Sequence, residues 1–270
     1  MAKDKITEYD ATANNNTVVG DVNLAENSAL PSDMNNAIRE VMSHQKEAFG
    51  SGTPLYVDQT NNRVGILETS PQAPLHITTG ANTDIMRFGA DARWGFQRAN
   101  SDSRYLSLSR AMNGTPSAVM VVDGDTGAIT KPLQPAFLAN ATTTANIPIN
   151  ATTTIAFGTE VYDQNADFAS NTFTAPVTGK YQFSVQLLVL AVDIDSTYVE
   201  VRIKTSNRNY FYTIDPDVFD RDAVYYTFPL SALADMDAND TALVEVQLPN
   251  DGVAQMDISA GSTFSGFLAC

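Results

Sequence analysis

Between Gly179 and Leu187 the chain reads GKYQFSVQL, with Tyr181, Phe183, Val185 and Leu187 separated by Lys180, Gln182, Ser184 and Gln186. A period of two is what a β-strand with one wet face requires, because successive side chains leave a strand on opposite sides. At Leu188 and Leu190 the period breaks, and the strand becomes apolar on both faces. Such a strand needs a second covering surface, which a neighbouring subunit can provide. Alternation returns where Val199, Val201 and Ile203 flank Glu200 and Arg202, and where Val244, Val246 and Leu248 flank Glu245 and Gln247. Several such strands, joined by turns containing Pro and Gly, predict a sandwich or jelly roll over residues 134–270.

The last ten residues, GSTFSGFLAC, pose the same question. An apolar strand at a chain end needs cover on both faces, and a glycine within it suits a place where another backbone or ring comes close. Phe264, Gly266, Phe267 and Leu268, with Leu188 and Leu190, are therefore expected at a contact between subunits. Phe264, Gly266 and Leu268 should face one way and Phe267 the other. The single cysteine, Cys270, has no internal partner for a disulfide, and two histidines far apart, His44 and His76, are poor material for a metal cluster.

Three further segments precede the β-rich part. Residues 1–31 are polar and rich in Asn, Ala and Thr, which suits a strap that orders on a partner. Residues 32–50 form the one convincing helix, with Ser32 or Asp33 as cap and Gly50 as stop. Met34, Ile38, Val41, Gln45 and Ala48 recur at spacings of four and three, the seam of a short trimeric coiled coil or of a helix packed on another surface. Residues 51–133 read as a β-rich stem of short strands. LYVDQTNNRVGI and VMVVDGDTGAI both read as hairpins, an apolar pair ending in Val-Asp followed by a polar turn.

The net charge of −15 is uneven: residues 1–131 hold 15 acids and 11 bases, residues 132–270 hold 16 acids and 5 bases. An acidic surface repels phosphate backbones, so nucleic acid is not an expected partner. No apolar run approaches the length of a membrane span, and the first thirty residues lack the apolar core of a signal peptide. No membrane insertion is expected, and synthesis is expected in the cytoplasm, where Cys270 would stay reduced.

Two resemblances sharpen these readings. Phe157, Asp163, Phe168, Phe173, Gly179, Tyr181 and Phe183, followed about eighty residues later by STFSGFL, resemble the signature of the C1q-like domain, a jelly roll related to tumour necrosis factor. The interval from Phe168 to Phe173 is two residues shorter than that pattern, and Val185 stands where Phe or Tyr is common. This resemblance implies a ten-stranded jelly roll that assembles as a homotrimer, with the last strand in the inner sheet near the threefold axis. DKITEYDATANNNTVVGDVNLAE with MNNAIREVM resembles the start of phage tail fibres, and RVGILETSPQAPLHI resembles a "VGIGTTSP…LHV" segment of their shafts, with Leu67-Glu68 in place of Gly-Thr. The implied protein is a trimeric tail fibre in the virion. Residues 1–50 would attach to tail or portal-proximal proteins, and residues 134–270 would form a tip that binds a host surface protein or glycan. The alternatives are a capsid fibre or decoration protein, and a polysaccharide-degrading tail spike.

Enzyme chemistry finds little support. Asp215, Asp217, Asp220 and Asp222 in TIDPDVFDRDAV are the best candidates for paired carboxylates, but nothing in the sequence raises one and keeps the other ionised. No G-x-S-x-G, H-E-x-x-H or P-loop occurs. No enzyme activity and no cofactor are expected. The one ion for which the loops offer oxygen ligands is Ca2+, through Asp193, Asp195, Asp215, Asp217, Asp220 and Asp222, at spacings unlike an EF-hand. For receptor contact the candidates are Asn207, Arg208, Asn209, Asp215 and Asp217, with the aromatic residues Tyr210, Phe211, Tyr212, Tyr225 and Tyr226 nearby.

Overall fold

A computed structural model describes residues 9, 15–19, 21–23, 30–49, 55–77, 84–88, 94–99, 105–112, 115–249 and 255–270. The chain divides into two units, Met1–Ile129 and Thr130–Cys270.

In the first unit β1 (Val18–Val19) pairs with β2 (Val22–Asn23), and α1 spans Pro31–Phe49. Proline suits the first helical position because its missing N–H would have no partner there. Asp33, rather than Ser32, closes the helix start: its carboxylate accepts the N–H of Leu30 at 2.7 Å. Gly50, the expected stop, lies outside the described residues. The seam is shifted from the one the spacing suggests. Ala37 and His44 are buried and Val41 and Ala48 half-buried, whereas Met34, Ile38, Met42 and Gln45 are exposed. His44 is held by Tyr9, whose hydroxyl lies 2.7 Å from Nδ1.

Next, β3 (Leu55–Asp58) and β4 (Arg63–Ile66) form a hairpin, and β5 (Leu75–Ile77) pairs parallel to β4. Five strands then make one antiparallel sheet: β6 (Asp84–Phe88), β7 (Trp94–Ala99), β8 (Tyr105–Met112), β9 (Thr115–Asp123) and β10 (Ile129–Thr130), in the order β10-β9-β8-β7-β6. The two hairpins share one device. Asp58 Oδ1 accepts from the N–H groups of Thr60 and Asn61, and Asp123 Oδ1 from those of Asp125 and Thr126. An aspartate that bonds the backbone two and three residues on makes the turn its own side chain needs. Leu67, which occupies the glycine position of the shaft-like segment, is held at φ 56°, a conformation that costs a branched side chain energy.

The second unit packs two six-stranded sheets. One has the order β13-β11-β22-β16-β19, built from β11 (Ala136–Asn140), β13 (Thr159–Asp163), β16 (Gly179–Val192), β19 (Ala223–Met236) and β22 (Thr263–Leu268), with β21 (Asp257–Ile258) beside β16. The other has the order β14-β15-β20-β17-β18, built from β14 (Phe168–Ala169), β15 (Thr172–Thr174), β17 (Val199–Thr205), β18 (Asn209–Ile214) and β20 (Thr241–Leu248), with β12 (Ala151–Thr154) on β20. Twelve strands stand where ten were expected, because β14 and β21 are two-residue pieces.

The alternation seen in the sequence fills the space between these sheets. Phe137, Phe168, Phe173, Tyr181, Phe183 and Phe264 are all buried and in mutual ring contact, with Phe137 stacked on Phe168 at 4.7 Å. The chain end is stitched into this frame. Lys180 N–H donates to Cys270 O, and Ala269 N–H donates to Lys180 O.

Candidate functional site

The register of the first sheet decides which residues it offers to a neighbour. Phe137, Gly266, Phe183 and Ala232 form one cross-strand row, and Ala139, Phe264, Val185 and Leu230 the next, all pointing into the sandwich. Phe264 and Gly266, expected at a subunit contact, therefore belong to the protomer's own core. Leu268 is half-buried against that core as well. The opposite face carries Ala136, Phe267, Gln182 and Leu233 in one row, with Leu138 paired to Tyr162 beside it and Leu190 paired to Tyr225 further along. Phe267 is 50 % exposed, Leu233 57 % and Tyr225 66 %, while Leu188 and Leu190 are half-buried on this same face. Large apolar side chains on one sheet face form a patch of the kind that marks an interface.

The second sheet turns a charged network outward. Glu245, buried, accepts from Arg202 through Nη2 at 2.6 Å and Nε at 2.7 Å, and from Lys204 Nζ at 3.0 Å. Paired cations are what allow a carboxylate to stay buried. Phe211, exposed, lies across from Arg202 on β18.

The loop residues singled out for ions or receptors divide between the two ends of the sandwich. Asn207 and Arg208 precede β18 and Asn209 opens it, whereas Asp215 and Asp217 follow it, so the six residues of β18 hold the two groups roughly 20 Å apart. The structure does not bring these five together. Asn207 and Arg208 are also occupied: Asn207 Nδ2 donates to Asp235 O and to Asp240 Oδ2, and Arg208 Nη2 pairs with Asp235 at 2.7 Å. They staple the β17–β18 turn to β19, at the end where Pro135 leads into β11 and accepts from Leu268 N–H.

The far end gathers the aspartates. Asp193 Oδ1 accepts from Asp195 N–H, Asp222 Oδ1 from Ile194 N–H, and Asp215 Oδ1 from Asp217 N–H at the start of a 3-10 turn, Pro216–Val218. These carboxylates shape their loops rather than converge. Among the described residues no three His, Cys, Asp or Glu side chains gather to hold a metal ion. Beside them stand Val218, Val224 and Tyr225, all strongly exposed. Val218 and Val224 escaped sequence reasoning because a valine in a loop or strand reads as core.

Asp163 explains the acidic position of the signature. Its two oxygens accept from Asp167 N–H and Phe168 N–H, fixing the loop that delivers Phe168 to the core. Asp167 itself is pushed up from the usual carboxylate range, first by burial and then by Asp163, and its Oδ2 is buried with no partner among the described residues. Burial likewise raises Tyr181, whose hydroxyl donates to Val177 O at 2.7 Å, and Tyr210. Tyr226 is raised by its hydrogen bond with Tyr212 and by burial.

The C1q domain model matches residues 136–269. Those residues are a C1q domain. Among solved structures, the C1q domain here is similar to the globular domain of zebrafish complement 1qA protein, at 20% identity over 51% of this chain and 98% of that one, with a TM-score of 0.39. It is also similar to murine APRIL, at 13% identity over 50% and 98% of the two chains, with a TM-score of 0.37. No curated protein matches the chain. No helix among the described residues is long and apolar enough to cross a membrane.

Proposed function

We propose that the protein is a trimeric fibre of a phage tail, held on the virion through residues 1–50, whose C1q domain binds the host cell surface. The observation that carries the assembly is the outward face of the first sheet: Phe267, Leu233 and Tyr225 stand exposed in a C1q domain whose own core is already complete. Three copies packed through that face would cover it. The attachment role rests on the resemblance of the first forty residues and of the Val64–Ile77 segment to tail fibres. Receptor contact falls to the far end of the domain, where Asp215, Asp217, Val218 and Val224 combine exposed apolar surface with carboxylates at the rim. A weak site of this size gains from display in threes, since linked sites raise effective concentration.

Binding of the labelled, purified chain to host cells tests this reading, together with its mass by light scattering. Phe267→Asp is expected to give a folded monomer that binds cells poorly. Val218→Asp with Val224→Ser is expected to leave the mass unchanged and remove binding. A wild-type monomer, or full binding by the loop variant, would refute the respective half.

A further inference from the structure

We infer that the C1q domain holds a sugar-binding pocket, sized for one hexose ring, at the end of the sandwich opposite Asp215 and Asp217. A cavity of about 360 Å3 lies there, lined by the start of β16, the β17–β18 turn, the end of β19 and Cys270. Small-molecule pockets begin at about 300 Å3. At about 30 Å3 for each water, the cavity holds the equivalent of about twelve, the number of non-hydrogen atoms in a hexose. Its walls are fixed before any ligand arrives. Asn207 Nδ2 donates to Asp235 O and to Asp240 Oδ2, and Arg208 holds the Asp235 carboxylate at 2.7 Å. Asp237 N–H donates to Asp240 Oδ2 at 2.8 Å and Ala238 N–H to Thr178 Oγ1 at 3.1 Å, which ties the turn after β19 to the start of β16. Groups held in place beforehand lose little freedom on binding.

The groups left over on these walls select the ligand. Among the described residues nothing takes up the Lys180 ammonium, the Thr178 hydroxyl proton, the Asp237 carboxylate or Asn207 Oδ1. Donors and acceptors are thus present together. Lys180 lies directly across from Asp235 in the β16–β19 register, but Arg208 already neutralises that carboxylate, which leaves Lys180 and Asp237 to balance each other. The pocket therefore carries no net charge, although residues 132–270 hold 16 acids and 5 bases. A simple anion gains Lys180 but meets Asp237, and a simple cation meets the converse. A hydroxyl both donates and accepts. Neighbouring hydroxyls of a sugar ring give to Asp237 and Asn207 Oδ1 and take from Lys180 and Thr178, and the charged partners make their bonds the stronger ones. Met236 and Gly179 supply the apolar part of the lining, which suits the C–H face of the ring.

All of these groups belong to one protomer, so the pocket rests neither on the trimer nor on the fibre reading. Cys270, the only cysteine, is exposed and lines the same cavity, so its alkylation by the uncharged reagent iodoacetamide reports occupancy. Alkylation of the full chain is timed with glucose, galactose or mannose, and with sodium sulfate or calcium chloride as ionic probes. Saturation-transfer NMR reads the sugar protons in the same samples. For a Kd of about 1 mM, about 10 mM sugar is expected to slow alkylation about tenfold. Lys180→Met and Asp237→Asn are each expected to abolish the protection and the transferred signal, while circular dichroism stays as in wild type. Protection or transferred signal that is lost in either folded variant supports the inference. Absence of both readouts with every sugar, their persistence in both variants, or protection by sulfate or calcium alone overturns it. Lys180 and Asp237 take no part in the far-end contact, so any of these failures leaves cell binding through Val218 and Val224 standing.

Discussion

A methyl group at Gly266 is the most exacting probe of the C1q core. A Cβ there would lie 2.5 Å from Phe183 Cδ1 and 2.8 Å from Phe137 Cε1. Carbon atoms in contact sit about 3.5–4.0 Å apart, so both rings would have to retreat by about 1 Å. Neither has room. Phe137 is stacked on Phe168 at 4.7 Å and Phe173 at 5.2 Å and meets Phe264 edge-on at 5.0 Å, while Phe183 lies 5.5 Å from Phe173. Overpacking of a well-filled core costs about 1–3 kcal/mol, and two blocked rings place Gly266→Ala near about 3 kcal/mol. For a domain of this size about 4 °C accompanies each kcal/mol, so the melting temperature is expected to fall by roughly 10 °C. Thermal unfolding followed by circular dichroism, at matched protein concentration, reads this directly. Phe183→Leu in the same chain should recover at least about 1 kcal/mol through coupling of neighbours. A Gly266→Ala protein melting within about 2 °C of wild type would refute the close approach of β22 to β11 and β16.

Other expectations are as specific. Asp167→Asn should raise the melting temperature at neutral pH. The carboxyl is raised in the fold, so its stabilising contribution is full only below the ordinary value of 3.8 and is lost as pH rises through the folded value. The advantage of Asn should therefore vanish in acid, and a gain independent of pH would contradict burial as its cause. Glu245→Ala should cost about 3 kcal/mol in urea unfolding, because it leaves Arg202 with only the longer contact to Glu200 at 3.7 Å, whereas Arg202→Met with Glu245→Leu should come close to neutral. Equal costs for the single and double variants would mean that the network is not buried. Leu67→Gly should stabilise the first unit by up to about 1 kcal/mol, since glycine reaches φ 56° without the steric penalty that leucine carries. No change in denaturant midpoint would mean that the turn is not strained.

Local rules made much of the C1q domain legible. Residues 179–187 alternate because one face of β16 meets the core, and the aromatic signature is what fills that core. Local rules failed where two surfaces compete for one apolar residue. Periodicity marks Phe264, Gly266, Phe267 and Leu268 as a strand, but only the register β11-β22-β16 shows that Phe264 and Gly266 serve the protomer and Phe267 the outside. On α1 the heptad spacing finds an apolar helix, yet the buried stripe runs through Ala37 and His44 because Tyr9 bonds His44 there.

The loops teach the same lesson at longer range. Asn207, Asn209, Asp215 and Asp217 lie within eleven residues of sequence, and an extended strand sends them to opposite ends of the sandwich. Asp193 and Asp222, far apart along the chain, share one end because β16 and β19 run antiparallel. Sequence by itself thus determined which residues are strands, which face of each is apolar, and where turns fall, since these follow from backbone geometry and the spacing of side chains. The tertiary structure alone decided which apolar face is filled from within and which waits for a neighbour. That depends on strand order and register, which no single strand encodes.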